Sequence, residues 1–141
     1  MKKIILSLCI STLFIATGAM AQCDQASVMK SSKTEYLDKD GNVTRSVDED
    51  TKIDINKKTI VVAPSGDHVM TGTITSSTCD WKTPFKDGKL LIKASFDENG
   101  EIQIWNLTIE GKDGKISFLA ELEGDPNKRL RISVDSFEAA K

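Results

Sequence analysis

The chain has 141 residues, with 19 Lys and Arg, 21 Asp and Glu, a single His and a net charge of −2. This mild acidic balance excludes the basic footprint by which proteins hold nucleic acid or an anionic membrane. The length excludes a multidomain machine and leaves room for one domain with a modest core.

Residues 1–21 read as a secretory signal peptide. Met1-Lys2-Lys3 is a short basic start, and Ile4 to Ala16 is an apolar run broken only by Ser and Thr. Ala19-Met20-Ala21 supplies the small residues of a cleavage site before Gln22. The apolar run, about 13 residues, is too short to span a bilayer comfortably. A lipid anchor on Cys23 is disfavoured, because Gln22 stands where a small residue is needed. The expected mature chain is therefore Gln22 to Lys141, one β domain in the periplasm or outside the cell.

From there the pattern is β almost throughout. Alternating apolar and polar residues predict strands near 30–37, 43–48, 51–56 and 59–63. Further runs lie near 68–76, 89–96, 101–110, 115–123 and 129–137, about nine in all. In the run from Lys115, Ile116, Phe118, Ala120 and Leu122 share one face. In the last run Leu130, Ile132 and Val134 do the same. One wet and one buried face is the antiparallel habit.

Between the runs fall Asp38 to Asn42, Ser65-Gly66-Asp67, Lys86-Asp87-Gly88, Asp97 to Gly100, Lys112-Asp113-Gly114 and Gly124 to Asn127. Asn-Gly and Asp-Gly supply the positive φ of tight hairpins, so neighbours in sequence pair in an up-and-down meander. In Glu101 to Ile109 the apolar phase flips between Ile104 and Trp105. A bulge or a strand buried on both faces would explain the flip. With eight or more short strands and no helix to cover a flat sheet, closure into a barrel is expected, with a two-sheet sandwich as the alternative.

The stretch Ser76 to Phe85, SSTCDWKTPF, reads as the longest connection in the chain. It carries Cys79, Trp81 and Phe85. In an oxidising compartment the pair Cys23 and Cys79 is expected to form a disulfide, an intermolecular bridge or free thiols being the alternatives. Closing a loop of about 56 residues would constrain the unfolded chain by roughly 4 kcal/mol. Trp81 and Phe85 then either plug one end of the core or rim a ligand site. Phe96, Trp105, Phe118 and Phe137 lie on strands.

Catalytic chemistry is poorly supplied. His68 would have to serve alone as a base and reads as a solvated turn residue. No C-x-x-C, G-x-S-x-G or H-E-x-x-H occurs. Asp38-Lys39-Asp40-Gly41-Asn42 begins like a calcium loop, but its Gly is fourth rather than sixth, and strands flank it. Arg129 and Arg131 alternate with Leu130 and Ile132, as on the solvated side of a strand. No cofactor, metal or catalytic residue is expected, and the chain is read as a non-enzyme.

The leader, the meander and the Asp-Gly hairpins together resemble small secreted β-proteins of Gram-negative bacteria, some of them lipocalin-like. The resemblance is one of architecture. The lipocalin G-x-W near the first strand is replaced by Ser32 to Leu37, SKTEYL. The strand count and the inward Leu, Ile, Val and Phe point to an exported, non-catalytic, monomeric binding module holding a small apolar ligand in a β-barrel. The alternative is a protein-interaction, inhibitor or structural accessory protein with an envelope protein as partner.

Overall fold

The computed structural model describes residues 23–65 and 68–141. The leader assigned to residues 1–21 lies outside these, as do Gln22 and the Gly66-Asp67 pair of one expected turn. Eight strands follow in chain order among the described residues: β1 (Ser27–Leu37), β2 (Val43–Ile55), β3 (Thr59–Pro64), β4 (Met70–Thr83), β5 (Asp87–Glu98), β6 (Glu101–Lys112), β7 (Lys115–Leu122) and β8 (Arg129–Ala139). Each pairs antiparallel with the next, and β8 returns to β1 from Ser27↔Ala139 to Leu37↔Arg129. The result is a closed all-β meander barrel.

Local chemistry explains the hairpins. Glu98 pairs with Glu101 and Lys112 with Lys115 across two-residue loops. Asn99-Gly100 and Asp113-Gly114 fill those loops with φ values of 56°, 86°, 54° and 78°. Two consecutive positive φ angles make the turn whose twist matches the strands it joins. The wider β1–β2 turn is held from within. The Asp38 carboxylate accepts from the backbone N–H of Asp40 and of Asn42, each at 2.9 Å. Its carboxylate is thus committed to the turn rather than to a calcium loop.

Three expectations need correction. The separate strands near 43–48 and 51–56 are one strand, β2. Glu49 and Asp50 look like a turn in sequence, but β2 stays on β1 through a register shift, from Ser31↔Thr51 to Lys33↔Asp48. The stretch from Ser76 is not a long connection either. β4 continues through Cys79 and Trp81 to Thr83, paired with β5, and only Pro84 to Lys86 turn. Finally, β6 has no bulge against β5, since the register runs unbroken from Glu98↔Glu101 to Gly88↔Gly111. Its inner face is Trp105, Leu107, Ile109 and Gly111. Ile102 and Ile104 are on the outer face, with Ile102 61% exposed. The phase flip in the sequence is therefore an apolar patch on the outside, not a change of face.

The interior is filled by side chains. Met29, Ile53, Ile60, Ala94 and Ile109 are wholly inaccessible, and Phe118 nearly so. An eight-stranded barrel has an interior just wide enough for such packing. Phe96 lies flat over Gly72 on β4, where an added Cβ would come within 2.5 Å of its ring.

The seam that closes the barrel is fastened outside. Arg131 on β8 donates from Nε to Glu35 Oε2 on β1 at 2.7 Å, and Arg129 donates to Glu121 Oε1 on β7 at 2.9 Å. Both arginines occupy the solvated face of their strand. The hydrogen bond from Arg131, then the charges of Arg131 and Lys33, hold the Glu35 carboxyl below its ordinary value of 4.5. Its stabilising effect is therefore full above that value and fades as pH falls through the lower native one. Thermal unfolding between pH 6 and pH 3 checks this. The melting temperature of the native chain is expected to fall more steeply over this range than that of Glu35→Gln.

Candidate functional site

The β3 strand is the key to the site. It has 6 residues, against 13 in β2 and 14 in β4. It pairs with β4 only from Thr59↔Thr73 to Val62↔Met70, whereas β4 pairs with β5 as far as Thr83. Beyond the Ile74 N–H, which donates to the Lys58 carbonyl at 2.8 Å, the rest of β4 has no strand beside it on the β3 side among the described residues. A notch opens at this mouth of the barrel.

The N-terminal turn is tied across the notch. Cys23 and Cys79 form a disulfide with Cα atoms 5.8 Å apart. Cys79 lies on the inner face of β4, two residues before Trp81. Lys57 of the β2–β3 turn and Asp24 of the N-terminal turn form an ion pair at 2.9 Å. Both groups are well exposed, so the pair adds little stability by itself. Between these parts lies a half-open cleft of about 330 Å³. Ile55, Ile74, Leu90, Ile92, Trp81 and Phe137 give its apolar wall, with Ser27 and Ser77 among the polar groups.

Trp81 is 2% exposed, and its seat is made of glycine. It pairs across to Gly88, which pairs to Gly111. A Cβ on Gly111 would stand 2.5 Å from the Lys86 carbonyl oxygen and 2.8 Å from Trp81 Cζ3; one on Gly88 would stand 2.8 Å from Trp81 Cε3. Two strands thus give up their side chains to one indole. Across the mouth, Phe137 meets Trp81 with ring centres 5.9 Å apart. Phe85 meets the same Phe137 edge-on at 4.9 Å. Phe85 sits in the short turn with φ 59°, a left-handed conformation that costs a non-glycine residue roughly 1–2 kcal/mol. The ring contact with Phe137 offsets that strain.

The two aromatic residues singled out in the sequence therefore have different positions. Both pack on Phe137 as a plug, but only Trp81 also lines the cleft. Sequence reasoning missed Ser27, Ile55, Ile74 and Phe137 as cleft walls, because they come from four different strands. The glycine seat left a readable trace: Gly111 is in phase with inward Leu107 and Ile109, where a side chain would be expected. His68 is exposed in the β3–β4 connection. Among the described residues no three metal-ligating side chains cluster.

A wider depression, about 590 Å³, lies on the outer surface near the opposite end of the barrel. Three of its charged groups, Glu121, Glu123 and Arg129, take part in ion pairs. Arg129 holds Glu121 at 2.9 Å, and Lys93 holds Glu123 at 2.7 Å. The hydrogen bond and charge of Lys93 keep the Glu123 carboxyl below its ordinary value of 4.5. The smaller cleft is the more enclosed of the two and carries more apolar side chains, which makes it the better place for a ligand.

No protein-family model, curated protein or solved structure matches this chain. The fold and the geometry of the cleft stand on their own.

Two substitutions probe how the site is built. Replacing both cysteines by serine is expected to lower unfolding free energy by about 2–5 kcal/mol in denaturant titrations. Gly111→Ala is expected to cost about 1–3 kcal/mol, because the indole and the Lys86 carbonyl leave no room for a methyl group. Its Trp81 emission should shift with the displaced ring.

Proposed function

We propose that this chain is an exported, non-catalytic binding module that holds a small apolar molecule at the disulfide-bearing mouth of its barrel. The middle of the barrel is occupied by the chain's own side chains, so the ligand sits at the mouth rather than at the centre. The observation that carries this reading is the cleft of about 330 Å³, walled by apolar and polar groups from several strands and bordered by a disulfide. Small-molecule sites begin at about this size and combine apolar walls with a few placed polar groups. A disulfide across the mouth keeps the walls in position before a ligand arrives, which lowers the ordering cost of binding.

Export accords with the leader read in the sequence and with the disulfide, which persists in oxidising compartments. Monomeric behaviour accords with a closed barrel, which has few free strand edges to offer a second copy. Lipocalin-like architecture is compatible with the eight-stranded barrel, although the ligand here is much smaller than a filled lipocalin interior would suggest.

The test uses Trp105→Phe, which leaves Trp81 as the sole tryptophan of the two. Cumene, an apolar probe without a polar group, should shift Trp81 emission with saturation between about 10 μM and a few mM, as expected for about ten non-hydrogen atoms. Native mass spectrometry of protein isolated from its own host should show a retained small mass. A linear, unsaturable quench together with no retained mass would overturn the reading. The envelope-protein partner would then be the surviving alternative.

A further inference from the structure

Three residues that line the cleft, Cys23, Asp24 and Gln25, precede the first strand. The β1 ladder starts at Ser27, which pairs with Ile55 on one side and Ala139 on the other. Just before it, the Ala26 carbonyl accepts from the Ala140 N–H at 2.8 Å. The wall formed by residues 23–25 therefore lies outside the hydrogen-bonded barrel. The Cys23–Cys79 disulfide ties it to β4, and Asp24 meets Lys57 in an ion pair at 2.9 Å. The side chains of Lys57 and Asp24 are 65% and 74% exposed, so water and salt screen the pair and it holds the turn weakly. The covalent bond is by far the stronger of these two ties.

The place of the bond matters as much as its strength. Cys79 lies within the β4–β5 ladder, which runs from Gly72↔Phe96 to Thr83↔Asp87. β1 is held along its length by β2 and β8. The barrel closes through these ladders without residues 23–25. Opening the disulfide thus leaves every strand pairing in place. Both cysteines are half-buried and line the half-open cleft, so the bond stands at the edge of the core rather than sealed within it.

Resting on the binding reading above, we propose that residues 23–26 are a strap on the cleft, latched by the disulfide, and that a dithiol reductant unlatches it and discharges the ligand. A thiolate of the dithiol attacks one sulfur of the bond. A mixed disulfide forms, and the other cysteine leaves as a thiolate and takes up a proton. The second thiol of the reductant then attacks its own mixed-disulfide sulfur and releases the remaining cysteine. Two electrons and two protons pass from the dithiol to the cysteine pair, and the reductant departs as its disulfide. The unlatched strap is free to pivot at Ala26, and one wall of the cleft goes with it. A ligand must then order the strap as it binds, which weakens affinity and speeds release. Reoxidation restores the wall. The cleft is thereby tied to the redox poise of its surroundings, closed where disulfides persist and open where dithiols dominate.

The experiment compares the full mature chain, labelled with ¹⁵N and with ¹³C methyl groups, before reduction with dithiothreitol, after it, and after reoxidation. On reduction the backbone order parameters of Asp24 and Gln25 are expected to fall from about 0.85 to below about 0.6. The amide signals of Met29, Ile53 and Ile109 should stay in place. Cumene is the ligand probe, followed on the methyl signals of Ile55, Ile74, Leu90 and Ile92. Its Kd is expected to rise at least about tenfold on reduction and to return on reoxidation. Cys23→Ser should match the reduced chain in both readouts and no longer respond to dithiothreitol.

Order parameters that stay high after reduction would overturn the latch. So would loss of the core signals, in the reduced chain or in Cys23→Ser, because the bond would then hold the barrel rather than the strap. An unchanged Kd for cumene beside a mobile strap would overturn the gating and leave the binding reading intact. No binding of cumene to the oxidised chain would overturn the binding reading and the gate together.

Discussion

Pairing of β8 with β1 is the constraint on which the rest depends. Once that seam closes, the barrel interior has a set width and every inward side chain competes for it. Ser27↔Ala139 and Leu37↔Arg129 mark a seam that runs the length of β1. The inner layer then admits Met29, Ile53, Ile109 and Phe118 and excludes solvent from all four. Space for anything else must come from a local departure from regular closure. The short β3 is that departure, and the notch it leaves becomes the cleft.

The mouth of the barrel illustrates how several modest interactions combine into one arrangement. Gly88 and Gly111 remove two side chains so that one indole can lie flat. Phe137 and Phe85 brace that indole from the other side. Cys79 shares the indole's strand and face, so the disulfide fastens the N-terminal turn beside the ring. None of these contacts is large alone. Together they hold the Trp81 ring in place at the end of the core.

The outer surface has a different logic. Arg131 with Glu35 joins β8 to β1, distant in sequence but adjacent in the ring, and Arg129 with Glu121 joins β8 to its neighbour β7. Exposed pairs of this kind set register and solubility more than stability. Ile102 and Ile104 stand out on the same surface as apolar residues without cover, at 61% and 36% exposure. They explain why the polarity of β6 reads as inconsistent along its length: the two faces of that strand are not the usual wet and dry.

Much of the architecture was legible in the residues themselves. Alternation in β1, β5, β7 and β8, with Asn99-Gly100 and Asp113-Gly114 between strands, encodes an antiparallel meander because side-chain phase and turn geometry are local properties. The even pair of cysteines likewise pointed to the bond that forms. What only the tertiary structure decided is which residues meet across the ring. The continuity of β2 through Glu49 and Asp50 depends on pairing with β1, and the strand state of Cys79 and Trp81 depends on pairing with β5. Pro84 and Phe85 read as loop in sequence and drew their neighbours into that reading. The cleft was invisible for the same reason. Its walls come from five strands and two turns, and nothing local tells Ile55 that it will share a cleft with Trp81 beside a strand too short to fill it.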